Sequence, residues 1–176
     1  YYPDMVSSYP TMSVTIDSTL LTGTYSNEHK VLALVWYDEQ NKKFISYGSA
    51  RKEIMKVGVK QVFHNSLFEL NHHHLSSEVK TIHEELNGQS ASINTLMYRA
   101  NHKQLLNVPR ILKLAGFLEK GDSINGPQYF SYGILSKLNP NNHQTHIWQG
   151  FGFNDEFSTK ELIYLIEKNY LPSYSL

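Results

Sequence analysis

Apolar positions along the chain fall into short blocks, and the spacing inside each block predicts its secondary structure. Residues 1–12 hold Tyr1, Tyr2, Pro3, Tyr9 and Pro10 without periodicity and read as a tail. The β-branched run Val14-Thr15-Ile16 predicts a strand within 12–21, and 31–37 predicts a second of the near-continuous apolar kind. The polar stretch 38–42 turns the chain, and 44–47 returns it as a hairpin. Ser49 is placed to cap a helix with Ile54, Met55 and Val57 as its buried stripe. Gly58 interrupts that helix, and Val62, Phe63, Leu67 and Leu70 carry the helical period on to residue 70. Asn71-His72-His73-His74 then reads as a polar connector.

The second half repeats this alternation. Residues 78–86 predict a strand, Asn87-Gly88 a tight turn, and 93–98 the returning strand. Asn107 and Pro109 open a helix carrying Ile111, Leu112, Leu114 and Ala115. Pro127 opens another, with Tyr129, Phe130, Ile134, Leu135 and Leu138, stopped by Asn139-Pro140. After the polar loop 141–146 comes Ile147-Trp148-Gln149-Gly150, then a last helix. Ser158 and Glu161 form its capping box, Leu162, Ile163, Leu165 and Ile166 its core face, and Pro172 its end. The expected fold is α+β: two β-hairpin-plus-helix units, the second winged-helix-like. An N-terminal strand/helix lobe of unknown role spans 1–77 and a second domain spans 78–176. Ile111, Leu112, Leu135, Trp148, Leu162 and Ile166 are expected to share one core.

Composition narrows the classes. Apolar residues make up 40% and aromatic residues 12% of 176, enough to offset the ordering entropy of a fold. The absence of Cys excludes disulfide scaffolds, thiolate zinc sites and cysteine nucleophiles. No run approaches the roughly 18 apolar residues of a membrane span. The net charge of zero divides unevenly: residues 1–98 carry eight basic and ten acidic side chains, and 99–176 carry eight and six. Arg99, Lys103, Arg110, Lys113, Lys120 and Lys137 face only Glu119 and Asp122 between 99 and 137, a modest basic patch.

Catalytic motifs are missing. His72, His73 and His74 are consecutive, so they do not point to one side as metal ligands at helical spacing do, and a surface loop is expected. No P-loop, dinucleotide fingerprint or GxSxG elbow occurs. Asp38, Glu39, Lys42 and Lys43 all fall in one turn, where they cannot share a nuclease metal. No catalytic residue, metal or cofactor is expected, and the chain is read as a binding module and not an enzyme.

A resemblance to a known family points the same way. Glu85-Leu86-Asn87-Gly88, Met97-Tyr98-Arg99 and 106–117 (LNVPRILKLAGF), followed by Gln149-Gly150 and a closing helix from 158 to 168, resemble the APSES/KilA-N domain over roughly residues 78–170. That family comprises fungal transcription regulators and related viral proteins. The resemblance implies sequence-specific binding to double-stranded DNA, a nuclear location and no membrane. Arg99, Lys103, Arg110, Lys113, Lys120 and Lys137 would contact phosphates, and Gln144 and Gln149 base edges. The alternative is a domain of the same fold that binds a protein partner.

Overall fold

Three β-branched residues in succession need not make a strand when their polar members can bond to the backbone of a helix. The computed structural model describes residue 9 and residues 11–48, 50–87 and 89–176. In it, helix α1 (Ser13–Thr22) replaces the strand expected at 12–21. Val14, Thr15, Ser18 and Leu21 form its buried face, a helical period that the β-branched run conceals. Two hydroxyls bond to the helix's own backbone: Ser18 donates to the Val14 carbonyl at 2.7 Å and Thr22 to the Ser18 carbonyl at 2.6 Å. The expected cap at Ser49, the turn residue Gly88 and the tail residues Tyr1, Tyr2, Pro3 and Pro10 lie outside the described residues.

The chain divides into two compact units, Tyr1–Ile82 and His83–Leu176. Both mix helices with small sheets, so the fold is α+β. In the first unit, α1 is followed by a single turn, α2 (Ser26–His29), and by the expected hairpin. Its strands β1 (Val35–Asp38) and β2 (Lys43–Ser46) pair antiparallel, Val35 against Ser46 through Asp38 against Lys43. Helix α3 (Arg51–Val57) ends at Gly58, and α4 (Val59–His64) continues in wider π-type turns over Asn65–His74. The three histidines therefore sit on a helix and not on a connector. Val14, Leu21, Val31, Ile45, Tyr47, Leu67, Leu70 and Leu75 are buried in this unit. Asn65 joins helix to hairpin by donating to the Ser46 carbonyl at 3.1 Å.

The second unit departs furthest from expectation. Residues 82–85 form a short helix, α5 (Ile82–Glu85), and not a strand. Strand β3 (Ala91–Ile93) pairs in parallel with β6 (Tyr129–Ser131), and β4 (His102–Leu105) pairs antiparallel with β5 (Ser123–Gly126). The helix expected after Pro127 is thus strand β6 and one 3-10 turn, Gly133–Leu135. Without it the two-helix arrangement of a winged helix is not formed. Helix α6 is short (Arg110–Leu114), and two of its three apolar residues face outward, with Ile111 58% and Leu114 88% exposed. Of the six residues expected to share a core, only Leu135 is buried; Leu112 is half-buried, and Trp148, Leu162 and Ile166 are exposed.

The closing helix exists as α7 (Asp155–Glu167), but it starts earlier and buries a different face. Asn154 is its cap, accepting from the Phe157 N–H at 2.8 Å, in place of Ser158. Phe157, Glu161 and Leu165, four residues apart, point inward. Glu161 was read as a capping residue. It is fully buried and accepts from Ser131 Oγ (3.0 Å), the Leu138 and Asn139 N–H groups (2.5 and 3.2 Å) and Asn142 Nδ2 (2.7 Å). A buried carboxylate with four donors organises the 131–142 segment around the helix.

Candidate active site

Two features of the first unit have the chemistry of a site. The first is the start of α1. Met12 stands at its N-cap in extended backbone, no side chain among the described residues caps the helix, and its first turn holds no acidic residue. The amide groups at that end carry a partial positive charge that stays available to an anion. Thr11 and Ser13 add exposed hydroxyls there. Asp17 lies four residues beyond Ser13, on the same helix face. Burial pushes its carboxyl above the ordinary range.

The second is a groove of about 790 Å³ beside the hairpin. Trp36, Tyr37 and Asp38 come from β1, Lys43 from β2, and Lys30 and Leu32 from the segment after α2. Glu69, His73 and His74 come from the π-type turns, a geometry found often at functional sites. The turns spread the three histidines apart. His74 reaches the Tyr47 hydroxyl at 2.8 Å and meets the Trp36 ring edge-on at 5.7 Å. His73 lies 3.2 Å from Glu69, which also meets His64 at 3.4 Å. Burial lowers the His74 pKa, against the opposing charge of Glu69, and raises that of Tyr47. Asp38 is held below the usual carboxylate range by hydrogen bonds from Asn41 and Gln40 that close the hairpin turn. The Thr15 hydroxyl donates to the Leu32 carbonyl at 3.2 Å, tying the first turn of α1 to the segment that lines the groove. No cluster of three metal-ligating side chains occurs among the described residues.

The residues expected to bind DNA are scattered and in part engaged. Arg99 Nε meets Glu84 at 3.1 Å, both side chains mostly covered. Lys103 lies on β4, Arg110 and Lys113 on α6, and Lys120 in the following turn, all exposed. Lys137 donates to the carbonyls of Pro140 and Asn142 at 3.0 and 3.2 Å. Gln149 accepts from the His146 N–H at 3.3 Å. The Glu156 carboxyl is held below the usual range chiefly by Lys160 and least by Gln144. Sequence reasoning missed the α1 start because the strand reading of 14–16 hid a helix terminus. It missed the groove because Trp36 and Tyr37 read as sheet interior. The signal present in the sequence was the pair of hydroxyls, Thr11 and Ser13, ahead of an apolar block.

Residues 1–108 match the family described as type I phosphodiesterase / nucleotide pyrophosphatase. No curated protein and no solved structure matches the chain. The family match overturns the resemblance to the APSES/KilA-N domain. With it fall DNA-binding regulation, double-stranded DNA as the partner, and the reading of the chain as a binding module and not an enzyme. The protein-interaction alternative has no support either. Of the residues that carried the motif resemblance, 85–88, 97–99 and 106–108 lie inside the matched stretch and the rest outside it, whereas the α1 start and the groove lie wholly inside it. Among the described residues no helix is long and apolar enough to cross a membrane.

Proposed function

This chain belongs to the type I phosphodiesterase / nucleotide pyrophosphatase family, and on that premise we propose that it cleaves phosphodiester or pyrophosphate bonds in nucleotides. The match over residues 1–108 is the observation that carries the reading, because it covers the whole first unit. Cleavage at phosphorus needs positive groups aimed at the oxygens where negative charge builds up, and a hydroxyl or water in line with the leaving group. The start of α1 fits the phosphoryl group. Its uncapped amides meet the anion, and Ser13, exposed in the first turn, supplies a hydroxyl beside them. Asp17, one turn on along the same face and raised by burial, is the carboxyl we assign to take up the proton of that hydroxyl. The groove fits the rest of a nucleotide: Trp36 and Tyr37 offer aromatic surface to a base, and Lys30 and Lys43 offer charge to further phosphates.

The test is a substrate panel incubated with the protein: a dinucleotide with one diester bond, a nucleoside triphosphate, and double-stranded DNA as the former candidate partner. Release of a nucleoside monophosphate from either of the first two is the expected result. Intact dinucleotide and triphosphate at long incubation would refute the reading.

A further inference from the structure

The aromatic loop of the second unit is left unused by this reaction. His146 and Trp148 stack nearly parallel, with ring centroids 4.6 Å apart and planes 13° from one another. Trp148 was expected in the core, yet it is 76% exposed, and Ile147 beside it is exposed too. One face of the indole therefore rests on an imidazole while the other is open to solvent.

The loop beneath is held in place by a set of constraints. Phe151 has φ +57, a region that bulky side chains rarely occupy, and Gly150 and Gly152 flank it with φ of 58 and 84. Such backbone persists only where its surroundings dictate it, and it concentrates at functional sites. The surroundings are explicit. The Phe151 N–H donates to the His146 carbonyl at 2.9 Å, closing the turn that carries Trp148. Asn154 Nδ2 donates to the Gln149 carbonyl at 2.7 Å. Asn94 spans the loop from β3's end: its amide donates to the Gly152 carbonyl at 2.8 Å and its oxygen accepts from the Gly133 N–H at 2.8 Å. Gly133 and Gly152 press together so closely that a side-chain carbon on Gly133 would lie 2.5 Å from the Phe151 oxygen.

We propose that the open face of Trp148 is a stacking site for a nucleobase. The inference rests on the reading of the chain as a nucleotide-cleaving enzyme, whose ligands carry such a ring. A flat π-face, already stacked from below and fixed by its loop, accepts a base without ordering cost and without preference among bases. The occupant is the base and not the phosphate, because the platform consists of two aromatic rings flanked by Ile147.

The chain has two tryptophans, Trp36 and Trp148, so its nitrogen–proton correlation spectrum carries two indole signals, which Trp148→Phe assigns. Adenosine and ribose 5-phosphate are added separately. The expected result is a concentration-dependent shift of the Trp148 signal by adenosine, with a Kd of about 10–200 mM for a single stacking face, and no shift by ribose 5-phosphate. A Trp148 signal that ignores adenosine, or moves equally with ribose 5-phosphate, overturns the proposal. The two readings fail separately. Movement of Trp36 alone removes the Trp148 site and leaves the groove, while movement of Trp148 in a protein that cleaves no nucleotide leaves the stacking site and removes the reaction.

Discussion

Helices α1 and α7 begin in opposite ways. At α7, Asn154 caps the first turn, and Asp155 and Glu156 place negative charge on the amide end. Lys160 then pairs with Glu156 at 2.8 Å. That terminus is electrostatically closed and its role is structural. At α1 the described residues supply no capping side chain and the first turn holds no acid; Met12 stands at the N-cap in extended backbone, and Ser13 opens the helix with an exposed hydroxyl. A helix that serves packing satisfies its own end, whereas one left open keeps its dipole for a ligand. The difference separates a packing helix from a candidate active-site helix more clearly than hydrophobic pattern does, since both carry one buried stripe.

The comparison assigns stability to α7 and chemistry to α1, and each assignment can be broken. Leu165 is fully buried on α7, so Leu165→Ala is expected to lower unfolding free energy by about 2–5 kcal/mol. Denaturant melts measure this, and the turnover of the molecules that remain folded is expected to be unchanged. A Leu165→Ala protein of normal stability would remove α7 from the core.

The unit that carries α7 is also expected to be sensitive to acid. His83 is fully buried, with Nδ1 2.8 Å from Ser90 Oγ and Nε2 without a hydrogen-bond partner among the described residues. Burial lowers its pKa to about 4, only partly opposed by Glu84. The folded value lies below the ordinary 6.5, so the folded state favours the neutral ring. Its contribution is complete above pH 6.5 and is lost as pH falls toward 4, about 3 kcal/mol in all on linkage. Melts between pH 7.5 and 4.5 should show this loss, and His83→Gln should flatten it; an equal acid response in that variant would refute the assignment.

Smaller effects test the two termini directly. Asn154→Ala removes the α7 cap and is expected to cost about 1 kcal/mol, with nucleotide cleavage unaffected. Met12→Asn gives α1 the cap that α7 already has. It is expected to add a few tenths of a kcal/mol to about 1 kcal/mol of stability while weakening nucleotide cleavage. Cleavage that survives with a capped α1 would dissolve the contrast.

Legibility in the sequence follows the same divide between local and distant causes. The β1–β2 hairpin, the Gly58 break and the existence of α7 were readable, because each depends on neighbours within a few residues. Strand β6 was not, since its apolar spacing also suits a helix and its partner β3 lies far away in sequence. The exposed faces of α6 and Trp148 were misplaced because apolar spacing reports which residues share a face and not whether that face is covered. Glu161 was misread for a related reason: its spacing from Ser158 is that of a capping box, and its four donors at 131–142 lie 19 to 30 residues away in sequence. At the candidate site, the hydroxyls of Thr11 and Ser13 were visible, but their meaning depended on α1 being a helix, which the backbone-bonded Ser18 and Thr22 make possible.

The central claim is that the open end of α1 acts on the phosphorus of a nucleotide, and Ser13→Ala tests it most directly. Removing a side chain that acts on the reacting group is expected to lower kcat for dinucleotide cleavage by about 100-fold or more, with an unchanged melting temperature because Ser13 is exposed and caps nothing. A Ser13→Ala protein that cleaves the dinucleotide at the parent rate would contradict the account.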